Sequence, residues 1–168
     1  MNLKSGLILV LMVSIGILVS CKESTKQSES IIAEIENPQD STLFAILEME
    51  NTYKFTDSLK LKFTVFNPAT DSLSFTKYHT PFEGFMNNFL TIIDNDGKEV
   101  AYQGAMAKRI MPPVKESYIV VAPDSGVSIT IDISKAYDLT KSGTYTITYT
   151  GGNVSGMDNG KPIQIKLE

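Results

Sequence analysis

The chain has 168 residues, of which 42% are hydrophobic and 20% are charged, and its formal net charge is −4. This composition suits one ordinary globular domain. The acidic balance argues against a nucleic-acid partner, because such binding depends on clustered Lys and Arg. The chain has a single cysteine, Cys21, which excludes an intramolecular disulfide. It also has a single histidine, His79, which excludes the paired histidines of a thermolysin-like zinc site.

The N-terminus has the pattern of an export signal. An apolar run from Leu7 to Val19 follows Lys4, and it is shorter than the ~20 residues that span a bilayer as a helix. It fits the apolar region of a secretory signal peptide. The last residues of the run and those after it read LVSC, which resembles a bacterial lipobox.

The lipobox resemblance implies cleavage before Cys21 and lipid attached to that cysteine. We therefore predict a lipoprotein signal peptide at 1–20 and a membrane anchor at Cys21. The alternative is an ordinary signal peptide followed by a stray cysteine. Lys22 stands where an aspartate can signal retention in the inner membrane, so we expect the bacterial cell envelope, with the outer membrane favoured.

Residues 21–41 are predicted to be a lipidated cysteine followed by a flexible tether. They are mostly Lys, Glu, Ser, Gln and Thr, a composition that buries too little apolar surface to fold. The remaining residues, 42–168, are predicted to form a single domain, and we expect a monomer.

Apolar and polar residues alternate along several stretches of this domain, as in β-strands with one face on the core and one exposed to solvent. The apolar members of the three clearest stretches are Leu59, Leu61, Phe63 and Val65; Val127, Ile129, Ile131 and Ile133; and Tyr145, Ile147 and Tyr149. Turn signals such as NPATDS, DNDGKE and DNGKP separate the stretches. The pattern predicts an all-β, immunoglobulin-like antiparallel sandwich of about seven or eight strands. The segment before Tyr145 resembles a tyrosine corner of such sandwiches.

The sequence has no recognisable catalytic or metal-binding motif. His79 lies in a Pro- and Phe-rich stretch with no nucleophile elbow nearby. The DNDG segment lacks the first acid and the last glutamate of an EF-hand loop, so we interpret it as a hairpin turn. We predict a protein that is not an enzyme and that uses no metal and no cofactor.

Five apolar side chains lie near turns rather than within alternating strands: Phe82, Phe85, Met86, Met106 and Met111. They either cap the ends of the sandwich core or form an exposed apolar patch. An exposed patch usually marks a binding surface, and Met is common on surfaces that adapt to partners.

Several short motifs occur together in one order. They are Thr80-Pro81-Phe82-Glu83-Gly84, Tyr102-Gln103-Gly104, Lys108-Arg109, Pro112, Tyr118, Ala122-Pro123, Tyr137-Asp138-Leu139 and Gly143-Thr144-Tyr145. In this order they resemble the N-terminal propeptide-type domain of bacterial and fungal zinc proteases related to peptidyl-Lys metalloendopeptidase and deuterolysin. The resemblance covers about residues 42–150.

The resemblance implies a domain that folds beside its protease and covers the active-site cleft. The family's zinc and catalytic residues match no segment of this sequence, so we expect a free-standing lipoprotein that binds a secreted zinc protease in trans, as an inhibitor or chaperone. The prolines would stiffen two loops, the apolar residues would be anchors, Glu83 would approach a zinc ion or a basic pocket, and Lys108 would mimic a basic substrate side chain. The predicted partner-binding residues are Pro81, Phe82, Glu83, Phe85, Lys108, Met111 and Pro112. The alternative is a structural or adhesive envelope module with a peptide, glycan or protein ligand.

Overall fold

In the computed structural model, residues 42–168 are described, and they form nine β-strands. These are β1 (Phe44–Glu48), β2 (Thr52–Tyr53), β3 (Lys60–Asn67), β4 (Leu73–Thr76), β5 (Leu90–Ile93), β6 (Tyr118–Val121), β7 (Ser125–Asp132), β8 (Gly143–Tyr149) and β9 (Ile163–Leu167). Three short 3-10 helices span Pro81–Glu83, Lys115–Ser117 and Ile133–Lys135, and one α-helical turn, α1, spans Gly152–Ser155. The predicted signal peptide, Cys21 and the tether lie outside the described residues.

The strands form three sheets, ordered β1-β3-β7, β2-β9-β8-β5 and β4-β6. All pairs are antiparallel except β2 with β9, which is parallel. The predicted all-β sandwich is confirmed. The structure has nine strands instead of seven or eight because β2, with only two residues, is too short to show a sequence pattern. Within residues 42–168, none of the helices has the length and apolar character needed to cross a membrane.

The core lies between the sheets of β3 and β8. Leu61, Phe63 and Val65 on β3 are fully buried, as their alternation predicts. The Phe63 ring meets the Tyr149 ring of β8 edge-on, with centroids 5.0 Å apart. Each such buried side chain contributes roughly 1.5–3 kcal/mol. Burial also raises the pKa of Tyr149, and a hydrogen bond from its hydroxyl to Ser155 Oγ partly offsets that shift.

The tyrosine corner predicted before β8 is present. The Tyr145 hydroxyl donates to the carbonyl oxygen of Lys141 at 2.7 Å, and the 3-10 helix Ile133–Lys135 connects β7 to this region. Such a bond fixes the chain as it crosses from one sheet to the other. The DNDG segment is a turn, because Asp94 Oδ1 accepts from the amides of Asp96 at 3.0 Å and Lys98 at 2.9 Å.

Candidate functional site

Two irregular stretches lie side by side at the edge of the core: the 77–89 loop, between β4 and β5, and the 105–114 segment, which leads towards β6. Backbone hydrogen bonds join them, from Ala105 N to Phe85 O at 3.1 Å and from Ala107 N to Met86 O at 2.8 Å. The two stretches hold all seven of the predicted partner-binding residues.

Local sequence explains the shape of the 77–89 loop. Thr80 caps the 3-10 helix Pro81–Glu83, because its Oγ1 accepts from Phe82 N at 3.2 Å and donates to Lys77 O at 2.7 Å. Pro81 stands at the first helical position, where its missing N–H costs nothing. Gly84 ends the helix with a φ of 70°, a conformation that glycine adopts without strain.

The Glu83 carboxylate is buried at the junction of the two stretches. Its Oε1 accepts from the backbone N–H of His79 at 2.8 Å and from Asn87 Nδ2 at 3.5 Å. Its Oε2 lies 2.6 Å from Arg109 Nη2, and the Glu83 side chain is only 4% exposed. The Oε2 contact is an ion pair without hydrogen-bond geometry. A carboxylate that is so deeply buried needs this opposite charge, since an unpaired one would be strongly destabilising.

Arg109 holds the 105–114 segment against the 77–89 loop. Besides its ion pair, its guanidinium carbon lies 5.2 Å from the centre of the Tyr78 ring, a cation–π distance. The Arg109 side chain is 23% exposed. Burial raises the pKa of the nearby Tyr102, and the negative charge of Glu83 adds to that shift. Tyr102 donates to the Ala105 carbonyl at 3.0 Å and so fixes the start of the segment.

Phe82 and Phe85 cap the end of the core. The Phe82 ring packs edge-on against Phe75 at 5.4 Å and Phe63 at 6.3 Å. The Phe85 ring stacks on Phe89 at 5.9 Å. Both phenylalanines are partly buried against the core, so most of their contact area is used inside the domain.

The methionines of the 105–114 segment face solvent instead. Met106 is 73% exposed and Met111 is 61% exposed, and Ile110 between them is 71% exposed. Other large exposed apolar side chains among the described residues are Phe55, Met86, Val114, Tyr118 and Val120. Each of the two interpretations of these apolar residues therefore holds for part of the set. The phenylalanines cap the core, and the methionines form an exposed apolar surface.

The predicted site residues occupy three environments. Pro81 and the Glu83 side chain are buried, with Glu83 paired to Arg109, whereas Phe82 and Phe85 are partly buried. Lys108, Met111 and Pro112 are exposed, and a cis peptide joins the last two. Tyr78, Arg109 and Ile110 also contribute to this site, and none of them was predicted as a site residue. The spacing of two between Met106, Lys108 and Ile110 is the sequence pattern that would have indicated Ile110. Partner contact by the seven residues stays a prediction.

In the part of the chain that the structure describes, no cluster of three or more His, Cys, Asp or Glu side chains could hold a metal ion. His79 contributes its backbone N–H to the Glu83 carboxylate. The arrangement is a surface segment held in place by an ion pair and by backbone hydrogen bonds.

Comparison with known proteins gives three informative relatives. The chain is 28% identical over 109 residues to a probable neutral protease 2 homologue of Trichophyton verrucosum, a match to 64% of this chain. It is 30% identical over 104 residues to a neutral protease 2 homologue of Arthroderma gypseum, and 61% of this chain is matched. It is 29% identical over 94 residues to an extracellular protease of Aeromonas hydrophila, and 56% is matched. No protein-family profile matches the chain.

The chain spans under a third of each of these relatives. The matches cover 29%, 28% and 26% of the T. verrucosum, A. gypseum and A. hydrophila proteins, respectively. The chain is therefore related to one part of proteins that are named as proteases. This similarity agrees with the protease connection expected from the motifs.

Proposed function

We propose that this protein is a non-catalytic, propeptide-like domain that binds a secreted zinc protease in trans, as an inhibitor or as a folding chaperone. A lipid at Cys21 would hold it at the outer membrane. The observation that carries the proposal is the similarity of more than half of this chain to under a third of several proteins named as proteases.

The geometry of the two joined stretches supports such a role. The exposed 105–114 segment is fixed by two backbone hydrogen bonds and by the Glu83–Arg109 ion pair. A surface that is ordered before binding loses less conformational entropy when a partner docks. Glu83 would contribute by holding Arg109, while Lys108, Met111 and Pro112 would make contacts.

The experiment that tests the proposal is an activity titration. The soluble protein, residues 22–168, is added to the A. gypseum and A. hydrophila proteases, with thermolysin as a control. Residual peptidase activity and the yield of active enzyme after refolding from denaturant are both measured. We expect saturable loss of activity near one-to-one stoichiometry, or an increased refolding yield, with no effect on thermolysin.

Full activity at a large excess, together with an unchanged refolding yield, would contradict the proposal. Rapid cutting of the protein without any loss of activity would also contradict it, because the protein would then be only a substrate.

A further inference from the structure

Exposure alternates from Met106 to Ile110 within the 105–114 segment. Met106, Lys108 and Ile110 are exposed, whereas the intervening Ala107 and Arg109 are partly buried. A period of two is that of an extended chain, in which successive side chains point to opposite sides. Residues 105–110 nevertheless belong to no strand of the three sheets.

One edge of this extended stretch already contacts the rest of the domain. The amides of Ala105 and Ala107 donate to the 77–89 loop, and the Arg109 side chain reaches Glu83 on the same loop. The anchoring groups therefore come from residues 105, 107 and 109. Alternate residues between them are left to face outwards.

The opposite edge is free among the described residues. Within residues 42–168, the backbone amides of Met106, Lys108 and Ile110 donate no hydrogen bond to another backbone group. An extended stretch with unpaired amides can add to the edge of a partner as a further strand, with pockets taking every second side chain.

We propose that residues 105–110 lie as an extended strand in the substrate cleft of the protease partner, with the Lys108 side chain in its central pocket. This inference rests on the proposed function and adds to it the segment, its orientation and the chemistry of the pocket. The pocket is acidic, because Lys108 is the one cation of this stretch that is exposed; the charge of Arg109 is matched by Glu83. Met106 and Ile110 occupy flanking apolar pockets.

A cleft suits this segment better than a flat surface does. Proteases select substrates through pockets for individual side chains, as the S1 pocket does, and this segment offers three outward side chains at regular spacing. The ion pair on Arg109 holds the residue directly after Lys108, so the peptide bond between them is fixed on one side. Such a segment can be bound as a substrate is bound and still resist cutting.

The test uses the full chain in mild detergent and the A. gypseum and A. hydrophila proteases as probes. Inhibition constants are measured for the wild type, Lys108→Ala, Lys108→Arg and the matched control Lys115→Ala, since Lys115 is also exposed. We expect Lys108→Ala to weaken inhibition by at least ~10-fold, which is typical of an anchor residue. Lys108→Arg should recover most of the loss, and Lys115→Ala should change the constant by less than about 2-fold.

Wild-type inhibition that is unchanged by Lys108→Ala would overturn this inference and leave the proposed function standing. Equal losses from Lys108→Ala and Lys115→Ala would overturn it too, because the effect would then be one of general charge. Absence of both inhibition and binding by the wild type would overturn the proposed function and this inference together.

Discussion

The Glu83 carboxylate and the Arg109 guanidinium lie 2.6 Å apart and join the 77–89 loop to the 105–114 segment. The carboxylate is also tied to the backbone of its own loop through the His79 amide. One ion pair thus connects the core cap, formed by the phenylalanines of the loop, to the exposed segment that we assign to partner binding.

Replacing Glu83 with Gln should lower the free energy of unfolding by about 3 kcal/mol, because it leaves the mostly buried Arg109 charge unpaired. Urea unfolding measures this. The matched control is Glu48→Gln, which breaks the exposed Glu48–Lys62 pair and should cost less than about 1 kcal/mol. Equal decreases in the free energy of unfolding for the two variants would mean that the Glu83–Arg109 pair stabilises the fold no more than an exposed ion pair does.

Replacing Arg109 with Ala should release the 105–114 segment and, because the buried Glu83 carboxylate loses its ion pair, should also lower the stability of the domain. We expect trypsin to cut after Lys108 at least ~10-fold faster in this variant, since cutting requires local opening. Peptide mass analysis over time measures the rate. Cutting after Lys141, which is exposed before β8, serves as the internal control. Unchanged cutting after Lys108 would show that Arg109 does not hold the segment.

Tyr145→Phe should lower the free energy of unfolding by about 1 kcal/mol, because it removes the hydrogen bond to Lys141 O without opening a cavity. Thermal or urea unfolding detects a change of this size. Tyr118→Phe is the control, since Tyr118 is 43% exposed, and we expect a change within about 0.5 kcal/mol. Identical stability of Tyr145→Phe and the wild type would show that the hydrogen bond from Tyr145 to Lys141 does not stabilise the fold.

Phe82→Ala and Met111→Ala should separate core packing from partner contact. Phe82 packs on Phe63 and Phe75, so its truncation should cost roughly 2–3 kcal/mol of stability. Met111 is 61% exposed, so Met111→Ala should keep native stability, within about 0.5 kcal/mol, and weaken protease binding. Unfolding and binding measurements on the same two variants decide this. A destabilised Met111→Ala, or one that binds as the wild type does, would contradict the assignment.

Alternation in the sequence predicted the strands that build the core. Leu59, Leu61, Phe63 and Val65 are buried as their spacing indicates, and so are Tyr145, Ile147 and Tyr149. Val127, Ile129 and Ile131 alternate in the same way but are only partly buried. The tyrosine corner was also predictable, since its partners are four residues apart.

The Glu83–Arg109 ion pair was not predictable from the sequence in the same way. Glu83 and Arg109 lie on different loops, and no local period links two loops that meet only after folding. The division between phenylalanines and methionines was equally hidden: Phe82 and Met111 both lie near turns, and only the packed structure shows that one contacts Phe63 while the other faces solvent. The pairing of β2 with β9 depends on long-range docking of a two-residue strand.

Hydrogen–deuterium exchange of the protein, with and without a saturating amount of the A. gypseum protease, tests whether residues 105–110 lie in the protease cleft. We expect exchange to slow by at least ~10-fold at the amides of Met106, Lys108 and Ile110, because these donors gain hydrogen-bond partners in the cleft. The amides of Asp96 and Lys98, which are already bonded to Asp94 within their own turn, should exchange at the same rate in both samples. Unchanged exchange in the 105–110 stretch, or protection confined to another part of the domain, would contradict the account.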